Sequence, residues 1–119
     1  MENRPKTLIV DIDGTLIWHS GNLHDQIKNP PRVLPGVREK FDEWDRKGYR
    51  IILLTGRKES MRSLTEAQLA SCCIFYDQLI MGVGGGVRVL INDLKAGSST
   101  PTAIAVNVER NQGLEEVNI

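Results

Sequence analysis

Two aspartates, Asp11 and Asp13, stand two positions apart where the apolar run Leu8-Ile9-Val10 ends, and Gly14 and Thr15 follow at once. A carboxylate at the end of a buried strand, beside a second carboxylate from another strand, makes an oxygen-rich site for a hard cation such as Mg²⁺. With the cation holding a phosphate oxygen, Asp11 can attack phosphorus as a nucleophile, because Asp carboxylates form aspartyl-phosphate intermediates. Asp13, in the same loop, can protonate the leaving oxygen and then deprotonate the water that cleaves the acyl phosphate. Gly14 lets the backbone turn so that loop amides face the phosphate, and Thr55 can offer its hydroxyl to a phosphate oxygen. The bland alternative for paired aspartates after a strand is a turn or helix cap. Here no helical period follows, which favours the chemical reading.

The elements that must position these groups are short. Residues 7–10, TLIV, form a continuous β-prone run that ends abruptly at polar residues, as a fully buried strand does. Residues 17–34, with GN and NPP, have no period and read as a loop or small flap. LPGVREKFDEWDRKG then sets Val37, Phe41 and Trp44 on one helical face, with Gly48 as the stop. Residues 49–57, YRIILLTGR, read as a second strand, and 60–73 as a helix whose Met61, Leu64 and Ala67 share a face. Residues 78–81, 88–93 and 102–108 are expected as three further strands, and the polar tail 109–119 as a fraying end. Alternating strands and helices with continuous apolar strand runs predict an α/β, Rossmann-like parallel sheet flanked by helices, a single small domain over 1–119. Ligands in such sheets bind outside the carboxyl ends of the strands. Asp11 and Asp13, then Thr55, Gly56 and Arg57, then Asn92 and Asp93 all fall at that end.

At these residues the sequence resembles the haloacid dehalogenase (HAD) superfamily of phosphatases. Its first motif, Asp-x-Asp-Gly-Thr, is matched in full by DIDGT. LLTGR, with Thr55, is similar to its second motif, and VLIND supplies Asp93 where the family has an acidic metal ligand. The resemblance covers about residues 6–95. It implies Mg²⁺ held by Asp11, the backbone carbonyl of Asp13, and Asp93. It also implies a capless member, since neither gap between motifs has room for a folded cap, and a homo-oligomer in which a neighbouring subunit screens the site. The family's third motif, a Lys or Arg before the last acid, is missing: Val83 stands where the cation is expected. Lys58 and Lys95 leave the correct end of the sheet, and Lys58, in the turn that carries Thr55, is the expected substitute, with Arg57 as a further source. Arg88 begins the expected 88–93 strand, which places it roughly 16 Å toward the wrong end.

Composition narrows the function classes. A chain of 119 residues, 40% apolar, supports one modest core. With zero formal net charge and no basic run, neither a nucleic-acid footprint nor an acidic-membrane surface is expected. Cys72 and Cys73 are adjacent, a spacing that fits neither a disulfide framework nor a metal knuckle and suits a reducing cytoplasm. The glycines of GVGGGV lack the Lys and Ser/Thr of a phosphate loop and read as a tight connection. The expected function is a Mg²⁺-dependent phosphomonoester hydrolase for a small phosphorylated substrate such as a sugar phosphate. The alternative, motivated by the missing third motif, is a catalytically weak domain that binds a phosphorylated ligand or a partner protein.

Overall fold

A computed structural model describes residues 4–119. Three parallel strands, β1 (Thr7–Asp11), β2 (Arg50–Leu54) and β3 (Gln78–Ile80), lie side by side in chain order. Ile9 pairs with Ile52 and Val10 with Leu53; across the second ladder Leu53 pairs with Leu79. Helix α1 (Leu23–Lys28) sits inside the segment read as a flap, α2 (Val37–Arg46) follows it, and a 3-10 turn (Glu59–Met61) leads into α3 (Arg62–Ser71). The α/β, Rossmann-like open sheet is the expected fold class.

Residues alternate across a strand, so each strand presents one row of side chains to each face. Leu8, Ile51, Leu53 and Leu79 are buried and join the core with Val37, Phe41 and Trp44 of α2 and Leu69 of α3. Helix α2 follows its sequence pattern closely, its three apolar residues spaced to share one face and the Phe41 and Trp44 rings 5.3 Å apart. Gly48 then adopts φ +75°, a left-handed conformation that ends the helix cheaply only for glycine. The opposite face of the sheet carries Ile9, Ile52, Leu54 and Ile80. Ile9 is 50% exposed and Ile80 46%.

The structure departs from the sequence expectations in several places, and the first strand, expected to be fully buried, has Ile9 half exposed. Helix α3 buries Thr65, Gln68 and Leu69 rather than Met61, Leu64 and Ala67. Two of the buried residues are polar, and they face inward because a buried guanidinium, that of Arg57, needs their oxygens. Residues 88–93 and 102–108 form no strands. Val87, Val89, Leu90, Ile91, Leu94, Ile104 and Val106 are each more than half exposed, in an extended arm that leaves the body after Gly84, Gly85 and Gly86. A β-prone run becomes a strand only when a neighbour pairs with its backbone, and no described neighbour does so here. The tail does not fray: Leu114 and Val117 are core residues, and the Leu114 amide donates to the Pro35 carbonyl at 2.8 Å. Among the described residues, no helix is long and apolar enough to cross a membrane.

Candidate active site

Asp11 is the last residue of β1, and the chain turns immediately behind it. Ile12, fully buried, anchors that turn: its carbonyl accepts the amides of Thr15, Leu16 and Ile17. Gly14, at φ +88°, allows the reversal and donates its own amide to the Ile17 carbonyl at 2.7 Å. That amide therefore closes the loop instead of facing a ligand. The Gly14 carbonyl accepts from the amide of Asn111, whose side chain bridges the backbone of His19 in both directions, donating from Nδ2 and accepting at Oδ1. The C-terminal segment thus braces the loop that carries both aspartates.

Asp13 is held from two sides. Arg57 grips it bidentately, Nε to Oδ2 at 2.9 Å and Nη2 to Oδ1 at 2.8 Å, and Gln26 of α1 donates Nε2 to Oδ1 at 2.8 Å. The Arg57 side chain is 2% exposed and that of Asp13 17%. Arg57 directs Nη1 to the Thr65 hydroxyl at 3.0 Å and to Gln68 Oε1 at 2.6 Å. Gln68 in turn donates to the Gln26 backbone carbonyl at 3.2 Å. This network ties α1, α3 and the Asp13 loop together, and every group in it has a partner, the condition for tolerating a buried charge.

Thr55, 1% exposed, follows β2, and its Oγ1 accepts the Arg57 amide at 3.1 Å while keeping a hydrogen to donate. Gly56 is exposed in the same turn; a side chain there would press against the Val83 carbonyl oxygen at 3.1 Å. Lys58 is exposed, its carbonyl opens the 3-10 turn, and among the described residues its ammonium bonds neither aspartate. Asp93 lies on the exposed arm, where its carbonyl accepts the Thr102 hydroxyl. Among the described residues, no three His, Cys, Asp or Glu residues come together as a metal-holding group, so Asp11, Asp13 and Asp93 are not assembled as a trio.

The cation beside Asp11 is Arg88. Its Nη1 lies 3.2 Å from Asp11 Oδ1, with both side chains partly open to solvent. The expectation that Arg88 falls at the wrong end assumed a strand over 88–93; without that strand the Arg88 guanidinium reaches the end of β1. Sequence reasoning missed Gln26 and Asn111 and set Arg88 aside. Arg57 was legible only as the residue after Thr55-Gly56, since nothing local announces that its partners lie on another helix and in the first loop. With Asp11 partly exposed and paired with Arg88, and Asp13 held by Arg57 and Gln26, the arrangement can recognise a phosphate by charge.

No protein-family model matches the chain, and no curated protein matches it. Among solved structures it is similar to a chain in the Pnkp1/Rnl/Hen1 complex, an RNA repair complex, with 32% identity over 71% of this chain and a TM-score of 0.58. The chain spans 30% of that relative's length. It is also similar in fold to a structural-genomics target from Vibrio cholerae, with 24% identity, a TM-score of 0.52, and coverage of 73% of this chain and 79% of that one. A D,D-heptose 1,7-bisphosphate phosphatase from B. bronchiseptica complexed with magnesium and phosphate matches at 19% identity and a TM-score of 0.48, covering 67% of this chain and 51% of that one. The likenesses with TM-scores above 0.5 agree with the α/β, Rossmann-like fold.

Proposed function

We propose that the chain is a HAD-type phosphohydrolase acting on a small phosphorylated substrate such as a sugar phosphate. The observation that carries this reading is the division of labour between two carboxylates of one loop: Asp11 partly exposed at the strand end and paired with Arg88, Asp13 fixed by Arg57 and Gln26. Asp11 attacks phosphorus, the aspartyl–phosphate bond forms, and the ester P–O bond breaks. The departing oxygen takes a proton from Asp13. Water then attacks phosphorus and gives its proton to Asp13, and the aspartyl–phosphate bond breaks to return the Asp11 carboxylate. Oδ1 accepts from both Gln26 and Arg57 Nη2, whereas Oδ2 accepts from Arg57 Nε alone, so Oδ2 keeps a lone pair through which the proton is transferred. Arg57 acts on Asp13 as a positioning residue.

Mg²⁺ fits Asp11, because this ion characteristically takes one or two carboxylates together with substrate phosphate oxygens rather than a full protein cage, and Arg88 would give up Oδ1 to it. When bound, it neutralises charge on the transferred phosphoryl group. Asp11 would hold it, with the Asp13 carbonyl as the resemblance implies. Arg88 supplies further positive charge at the same place, the role expected above of Lys58.

Phosphate release should be measured over a panel of sugar phosphates, a generic aryl phosphate and a terminally phosphorylated oligoribonucleotide, with and without Mg²⁺. The last belongs in the panel because a structural relative sits in an RNA repair complex. Asp11→Asn is expected to abolish release, and Arg88→Ala to lower kcat/KM at least tenfold while Lys58→Ala leaves it unchanged. Wild-type turnover in Asp11→Asn would overturn the assignment. Binding of phosphorylated ligands without turnover by the wild type would favour the weak, ligand-binding alternative.

A further inference from the structure

The arm from Val87 to Val108 is built unlike a solvated loop. Its two limbs run out and back, joined near the tip by a turn in which the Ser98 amide donates to the Lys95 carbonyl at 3.0 Å. They meet across Asn92 Nδ2 and Thr102 Oγ1 at 2.9 Å. One row of the outgoing limb carries Val87, Val89 and Ile91 before Asp93, the other has Leu90 and Leu94 interleaved with Arg88 and Asn92, and Ile91 is 90% exposed. Even a paired two-stranded ribbon is marginal alone in water, and these limbs form no strand ladder and leave their aliphatic side chains in water. The body of the same chain has the complementary defect. Parallel sheets occur with both faces covered, yet the face carrying Ile9 and Ile80 is half open.

We propose that the arm of one copy covers the open sheet face of a second copy, and that the exchange is reciprocal. Because one chain carries both surfaces, a two-fold pairing satisfies each arm and each face at once, the self-complementarity that a symmetric dimer requires. The area suffices. The arm's exposed aliphatic residues amount to about five fully open side chains, which at roughly 60–120 Å² each is about 300–600 Å² per arm. Reciprocal exchange doubles this, reaching the apolar share of a standard interface of about 1,600 Å². The arm's base carries Arg88, already on Asp11, so the interface would be continuous with the candidate active site. This inference rests on exposure alone and stands whether or not the chain hydrolyses phosphate.

Light scattering of the full chain at micromolar concentration should give a dimer. Ile91→Glu on the arm and Ile80→Lys on the sheet face should each give a monomer with unchanged far-UV circular dichroism. Should either variant unfold, hydrogen exchange of the wild type decides instead: protection over 87–94 is expected to rise with protein concentration. A wild-type monomer, or protection that does not change with concentration, would overturn the proposal. So would a dimer that survives Ile80→Lys in folded form, since that outcome means the arms pair with each other or the dimer forms elsewhere.

Discussion

Arg57 shows how a single side chain can decide the environment of a site. Its guanidinium is nearly inaccessible, and it meets a carboxylate, a hydroxyl and a side-chain amide at once. Removing one partner of such a buried pair typically costs about 3–5 kcal/mol, because the other charge is left uncompensated. Arg57→Ala is therefore expected to lower the denaturation midpoint strongly, as chemical denaturation of the purified variant would show. Arg57→Lys should recover only part of the loss, since one ammonium cannot reproduce the fork on Asp13 and still reach Thr65 and Gln68. A fully stable Arg57→Ala would mean that Asp13 is held well enough by Gln26 alone. Asp11, Asp13 and Thr55 were legible in the sequence because strand-end polar residues announce themselves in an otherwise apolar run. Arg88 was not. Its place depends on where a glycine-rich connection sends the chain, and no pattern near residue 88 encodes that.

At the scale of elements, α2 was legible because burial alone shapes it: apolar residues at the helical period, glycines at both ends. The apolar pattern of α3 misleads, because its inward face answers to Arg57 rather than to the hydrophobic core. The last eleven residues mislead in the opposite sense. They are mostly polar, yet Leu114 and Val117 enter the core, and Gly113 lies so close to Pro35 that any side chain would collide with the Pro35 backbone. Gly113 also has φ +88°, a conformation that costs other residues strain. Leu114→Ala should destabilise the protein by about 2–5 kcal/mol, the range for truncating a buried leucine. Gly113→Ala should also destabilise it, through collision and strain instead of a cavity. Urea denaturation of the two variants tests both, and a tail that only frays would show neither effect. Because Asn111 braces the Gly14 loop, these changes also bear on the site.

At the scale of the molecule, the chain divides into a body that contains the core and an arm that contributes almost nothing to it. The Cα envelope measures 51 × 29 × 24 Å, long in one direction for so small a protein. From Gly82 to Asn107 no residue belongs to the buried core, and only Val108, at the arm's base, packs against it. The sequence made the arm look like two more strands because β-propensity reports fitness for a pleated, half-buried surface without saying which chain provides the other half. Replacing residues 89–106 by a short Gly/Ser connection tests this division. Such a variant keeps Arg88 at Asp11 and the 108–119 segment that braces the body. A longer or shorter flexible loop changes closure entropy only slowly, by about 0.6 kcal/mol per doubling of length. At a dilution where the wild type is also monomeric, the thermal midpoint of the variant should therefore lie within a few degrees of the wild type's, about 4–8 °C being the shift expected per kcal/mol for a domain near this size. A collapse of the variant to an unfolded chain would mean that the arm stabilises its own body. In that case the extended conformation seen here would not be the one that sets the protein's stability.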